Sequence, residues 1–184
     1  MIEREKKFLL TQNEYRILLR HFSSTSYPST VQRNYYFDTD NLVMNRNGIT
    51  CRIRYKNGKL EATMKRHCRI IKDFSLEENM KQPNSIESNC FTDIGLKYQG
   101  CLTTQRTIIL KTEAYELVLD KNNYLDVTDY ELEIEYYDSY EKEATQMHEQ
   151  IIEVLRRNGI GTSHIKQTEK SKSQRFFEKR GDIY

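Results

Sequence analysis

Glycine, proline and long apolar runs are what this chain has least of, and each scarcity excludes something. Only 7 glycines and 2 prolines occur among 184 residues, and neither G-x-x-x-x-G-K-[ST] nor G-x-G-x-x-G is present. A phosphate bound here is therefore held by side chains and not by a glycine-rich loop. No run of 18 apolar residues exists, so no segment is suited to cross a membrane as a helix. Met1 to Lys7 enters a strand pattern directly, without the apolar stretch of a secretory signal. The four cysteines (Cys51, Cys68, Cys90 and Cys101) lack C-x-x-C spacing, and free thiols in a reducing cytoplasm are the expectation. His21, His67, His148 and His164 have no zinc-like spacing, so a bound metal is expected to take oxygen ligands.

The net charge of +2 says little, because both signs are abundant. The basic residues are not gathered into one run, so nucleic acid is not an expected partner; Lys166 to Arg180 is the densest basic stretch and the weak alternative. With 37% hydrophobic and 30% charged residues and a mean hydropathy of −0.82, the chain can fold, but its charge must be solvated or functional. Its length fits one domain over residues 1–184.

What is there is charge in period-two rows. Glu3, Glu5 and Lys7 alternate, as do Arg52 and Arg54, and then Glu131, Glu133 and Glu135. Residues two apart on a strand share a face, so these are charged ladders. Carboxylate rows hold hard divalent cations and arginine rows hold phosphate oxygens. A strand-rich chain with both points to a metal-bound polyphosphate. The plain alternative is a half-buried sheet with its charges in water. Against it, one row is nearly all basic and another nearly all acidic, whereas solvated faces usually mix signs.

The patterning predicts a strand over Ile2–Leu10, then a helix opened by a capping box at Thr11 to Glu14 and running to Phe22. A loop follows over Ser23–Thr30, then a strand at Asn34–Thr39 and a turn at Asn47-Gly48. Ile49–Lys56, Asn57-Gly58 and Lys59–Arg66 read as a hairpin. Ile70–Glu78 reads as a strand, and Ile86, Cys90, Phe91 and Ile94 as one side of a short helix. Thr103–Thr112 and Ala114–Asp120 form a second hairpin, with Asn122-Asn123 as the next turn. Tyr130–Asp138 is a strand, and Ser139 caps a helix to Asn158, stopped by Gly159. The tail from Gly161 is polar until Phe176-Phe177. About eight antiparallel strands with flanking helices predict an α+β barrel or strongly curved sheet. An exposed apolar strip on such a barrel could support a homodimer.

Glu3-x-Glu5-x-Lys7 resembles the E-x-E-x-K signature of the CYTH superfamily, the triphosphate tunnel metalloenzymes. N-Y-Y-F-D-T at Asn34–Thr39 is similar to the family's second strand, and G-I-T-C-R-I-R to its paired-arginine strand. E-A-T-M-K ends on Lys65 as the family's lysine strand does. Arg106 in T-Q-R-T, Asp120 in L-V-L-D, Y-E-L-E-I-E and Ser171-Lys172 follow in family order, so the resemblance runs from Ile2 to about Phe177. Some members carry a lysine two residues before the arginine matched by Arg106; Thr104 stands there, which puts the grip on one phosphate in question.

The resemblance implies an eight-stranded antiparallel barrel forming a tunnel, with charged residues pointing inward, and Mg²⁺- or Mn²⁺-dependent chemistry on a small triphosphate. In that reading Lys7, Arg52, Arg54, Lys65, Arg106 and Lys172 hold the phosphate chain. Glu3, Glu5, Glu131 and Glu133 ligate the metal, joined by Asp120 and Glu135. Lys7, Glu131 and Glu133 act at the reaction centre, Lys7 either orienting water or holding the terminal phosphate. Inorganic triphosphate, thiamine triphosphate and nucleoside triphosphates are the candidate substrates. A class IV-type adenylate cyclase is the nearest alternative, and a non-catalytic polyphosphate or nucleotide sensor the next. Asp120 could also initiate a turn, Lys172 could lie in a solvated tail, and Glu61 could pair with Lys65.

Overall fold

The structure, a computed structural model, describes residues 3–67, 75–168 and 170–181. Among these residues eight strands form one antiparallel sheet: β1 (Glu3–Leu10), β2 (Thr30–Asp38), β3 (Ile49–Lys56), β4 (Lys59–His67), β5 (Ser75–Asn79), β6 (Lys97–Lys111), β7 (Tyr115–Tyr124) and β8 (Val127–Tyr137). Among the described residues five α-helices accompany them: α1 (Gln12–His21), α2 (Val43–Arg46), α3 (Cys90–Asp93), α4 (Glu141–Arg157) and α5 (Lys172–Gly181). The strand order is β1-β8-β7-β6-β2-β3-β4-β5. This is the expected eight-stranded antiparallel architecture, but no backbone ladder joins β1 to β5 among the described residues. The expected closure into a barrel is therefore not seen among the described residues, whose ladders form an open sheet. Both end strands are heavily charged, Glu-Arg-Glu-Lys-Lys in β1 and Glu77-Glu78 in β5, and such charge disfavours further edge pairing.

The chain divides into two compact units. The first comprises Met1–Thr30, Gln105–Asn122 and Thr128–Glu169. In it β1 runs against β8 with Glu5 opposite Glu135, Lys7 opposite Glu133 and Leu9 opposite Glu131. One face of this ladder is thus polar. The other carries Phe8, Leu10, Leu132 and Ile134, which share a core with Leu117 and Leu119 of β7 and with the helices. Helix α4 supplies Ala144, Met147, Ile151 and Leu155 at helical spacing, and α1 supplies Tyr15 and Leu18.

Helix α1 begins with the predicted capping box. The Glu14 amide donates to the Thr11 hydroxyl, and the Thr11 amide donates to the Glu14 carboxylate at 2.7 Å. Ser139 does not cap α4 as expected. A 3₁₀ turn over Asp138–Tyr140 precedes the helix, and the Tyr140 side chain makes no capping hydrogen bond to it. Glu141 and Glu143 in the first turn supply the favourable charge instead.

The second unit comprises Val31–Thr104, Asn123–Val127 and Lys170–Tyr184. The Asn57-Gly58 hairpin is found as predicted, with φ of +51° and +78°. One face of β2, β3 and β4 buries Phe37, Cys51, Ile53 and Ala62 against Phe91 and Leu96. A separate cluster joins Tyr36, Leu102, Tyr124, Phe176 and Phe177.

That second cluster explains two departures from expectation. The turn predicted at Asn122-Asn123 falls instead at Leu125 and Asp126, φ +41° and +66°, because Tyr124 extends β7 into the cluster and Leu125 packs on it. Asp120 thereby sits within a strand and initiates no turn. The tail forms α5, with the Ser171 amide donating to Gln174 and the Gln174 amide to the Ser171 hydroxyl. This S-x-x-Q capping box and the two phenylalanines were the signal in the sequence for a helix there. Of the predicted strand over Ile70–Glu78, residues 70–74 lie outside the described residues, as does Cys68.

Candidate active site

In the first unit the polar face of β6, β7 and β8 is not a solvated face. Asp120 and Glu131 are 0% exposed and Glu133 is 2% exposed. Alternation places Glu131, Glu133 and Glu135 on one side of β8, and the antiparallel register brings Lys7 and Glu5 of β1 beside them. Lys7 Nζ donates to Glu5 at 2.6 Å. The amide of Asn122 donates to Asp129 at 2.8 Å and to Glu131 at 3.5 Å. Glu3 lies on β1 opposite Tyr137; its side chain is outside the described residues.

Arg106 of β6 gathers three of these acids. Its Nε and Nη2 donate to the two oxygens of Asp120 at 3.0 and 2.8 Å, and its Nη1 donates to Glu135 at 3.0 Å. Nη2 also donates to Glu133. Burial disfavours the guanidinium charge, but Asp120, then Glu133 and Glu135, more than offset that, and the group ends above its ordinary value. Three carboxylates against one guanidinium still leave negative charge in surplus. Burial, with Glu133 adding to it against the pull of Arg106, pushes the Glu135 carboxyl up to about 7.

The donor chemistry fits a hard divalent cation: oxygen only, largely buried, and negative in balance. The present geometry does not preform the cage. Among the described residues no three Asp, Glu, His or Cys side chains surround a common ion position, and Arg106 engages both oxygens of Asp120 and one each of Glu133 and Glu135.

The second unit holds the basic set. Register places Tyr36, Arg52, Thr63 and Asn79 in one row across β2 to β5, Asn34, Arg54 and Glu61 in the next, and Thr50, Lys65 and Glu77 in another. Arg52 Nε donates to Thr63 at 3.0 Å and its Nη2 to Glu77 at 2.7 Å; Arg54 Nε donates to Asn34 at 3.0 Å. Glu61 is exposed and faces Arg54, so Lys65 has Glu77 as its acidic neighbour in the ladder. Burial raises the Glu77 carboxyl, but Arg52 and then Lys65 pull it below its ordinary value.

Lys172 opens α5 and is half-buried, not adrift in a solvated tail. Its neighbour Ser173 accepts a hydrogen bond from Thr50 of β3 at 3.1 Å, which seats the helix start on the basic face. The buried Tyr36 hydroxyl is raised by burial, partly offset by Arg52, Lys172 and Arg54. Thr104, at the position often lysine, is fully buried. Asn34, Thr63, Glu77 and Asn122 were not singled out in the sequence. The period-two pattern held the signal for the first three, since each lies directly across a ladder from a basic residue or beside it.

A family model described as the CYTH domain matches residues 1–171. YjbK of Bacillus subtilis, named as a candidate triphosphatase, is 32% identical over 154 residues, which are 76% of this chain and 80% of YjbK. A crystal structure from Bacillus halodurans, described as a candidate adenylate cyclase, shares 26% identity and a TM-score of 0.68 over 96% of this chain and 97% of its own. HpAC1 from Hippeastrum, described as a candidate adenylyl cyclase with a dominant triphosphatase activity, has a TM-score of 0.69 at 19% identity over 96% of each chain. At that identity the likeness speaks for the fold alone.

Proposed function

The chain belongs to the CYTH domain family, and within it we propose a Mg²⁺- or Mn²⁺-dependent hydrolase of a small triphosphate: inorganic triphosphate, thiamine triphosphate or a nucleoside triphosphate. The observation that carries this reading is the burial of Asp120, Glu131 and Glu133 on the polar face of the sheet. Removing a carboxylate from water costs several kcal/mol, and apolar residues there would fold more easily. A charged set kept dry in this way supports binding of a cation and a polyanion better than it supports a structural role.

Glu5, Asp120, Glu131, Glu133 and Glu135, with Glu3, would hold the cation. Bound there, it would supply Lewis-acid neutralisation of phosphate charge. A triphosphate carries about four negative charges near neutral pH, and such a load requires cationic side chains on several sides. Arg52, Arg54, Lys65, Arg106 and Lys172 take that role, the arginines by their planar forks and the lysines as compact charges. They stabilise the charge that gathers on the departing diphosphate. Glu131 and Glu133 position the attacking water, and Lys7 orients it or holds the terminal phosphate.

The test is phosphate release from inorganic triphosphate, thiamine triphosphate, ATP and GTP, each with Mg²⁺, Mn²⁺ or EDTA. Metal-dependent release from one of them, abolished in the Glu131→Gln/Glu133→Gln double variant, is the expected result. Cyclic AMP and pyrophosphate from ATP would transfer the reading to a cyclase, the activity named for the Bacillus halodurans relative. No product from any substrate would overturn catalysis and leave a polyphosphate or nucleotide sensor.

A further inference from the structure

Arg106 is committed to carboxylates. A guanidinium has five N–H donors, and this one makes four hydrogen bonds to Asp120, Glu133 and Glu135. No paired fork remains for the bidentate grip that phosphate recognition uses. The same bonds hold both oxygens of Asp120 and one each of Glu133 and Glu135, and no three acidic side chains converge on an ion position among the described residues. A divalent cation and the guanidinium thus compete for the same oxygens, and two cations so close in a buried site repel each other.

We propose that Arg106 is the resident counter-cation of this acidic set, and that a divalent ion entering the set displaces it and frees its fork for polyphosphate oxygens. The inference rests on the metal-dependent reading above and adds an order to it. Cation binding comes first and releases Arg106; polyanion binding follows and is strengthened by the release. By linkage, a polyanion that holds Arg106 away from the acids strengthens cation binding by the same factor.

The experiment measures Mn²⁺ binding from the free-ion paramagnetic resonance signal, with no phosphate compound present, in wild type, Arg106→Gln and Arg106→Lys. Displacement predicts tighter binding to Arg106→Gln, by about tenfold or more on the usual scale of coupling between sites, with Arg106→Lys between the two. Equal or weaker binding to Arg106→Gln overturns the proposal. Should that variant fail to fold, the wild type decides. Its Arg106 Nε–H nitrogen-15 resonance, assigned by its loss in Arg106→Lys, should move to a solvent-exchanging position as Mg²⁺ saturates. Mg²⁺ binding with that resonance unchanged overturns this inference alone, whereas failure of both ions to bind overturns it together with the metal-dependent reading.

Discussion

Replacing Gly100 by alanine should loosen the helix that brings Lys172 to the basic set. Gly100 lies in β6 at φ +143°, and a Cβ built on it would meet the Phe176 ring at 2.7 Å. Carbon atoms in contact prefer about 3.5–4.0 Å, so the overlap is roughly 1 Å. The ring has little room to retreat: Phe176 is 0% exposed, with Tyr36 at 4.8 Å, Phe177 at 5.2 Å and Tyr124 at 6.2 Å between ring centres. Overpacking a core costs about 1–3 kcal/mol, and a backbone conformation that favours glycine adds about 1–3 kcal/mol. The sum, about 2–6 kcal/mol, is a large part of the 5–15 kcal/mol that typically separates folded from unfolded domains.

The expected result for Gly100→Ala is therefore a urea midpoint well below wild type and early proteolysis within α5, with a raised KM in the proposed triphosphatase assay. Truncating the ring should relieve the clash. Phe176→Ala alone is expected to cost about 3–5 kcal/mol. In the Gly100→Ala background its additional cost should be smaller by about 0.5–3 kcal/mol, the usual coupling of residues in contact. A Gly100→Ala protein within about 0.5 kcal/mol of wild type, the range of inconsequential substitutions, would refute the reasoning.

Other outcomes follow from single sites. Thr11→Ala removes one arm of the α1 capping box and should cost about 1 kcal/mol in denaturant unfolding. His148 stacks on Phe8 at 4.2 Å and its buried Nε2 has no hydrogen-bond partner among the described residues; burial, with Lys6 after it, holds the imidazole below its ordinary value. The unfolded chain then takes up the proton first, so this contribution to stability is present above pH about 6.5 and is lost on acidification. His148→Phe should show a shallower loss of thermal stability between neutral pH and the acid side. Cys51 is fully buried, and burial, then Asp38, pushes its thiol up to about 12. Mass mapping after native thiol modification should find Cys90 and Cys101 labelled before Cys51, and labelling of Cys51 at an equal rate would contradict its burial.

The strand alternation, the Thr11 capping box and the Asn57-Gly58 hairpin were legible in the sequence because each is decided within a few residues. So were the charged rows, since period two alone places Glu131, Glu133 and Glu135 on one face. Whether that face meets water is not a local property. It was settled by α1 and α4, whose apolar stripes cover the other side of the ladder and leave the carboxylates to be buried with one another. Tertiary packing also moved the β7–β8 turn to Leu125-Asp126 and folded the tail into α5, because burying Tyr124, Leu125 and Phe176 outweighs the turn preference of two asparagines. The commitment of Arg106 to Asp120, Glu133 and Glu135 belongs to the same class. Its spacing from those acids, 14 to 29 residues along the chain, carries no sign of the contact; only the register of neighbouring strands brings a guanidinium among three carboxylates, where low dielectric makes the pairing strong.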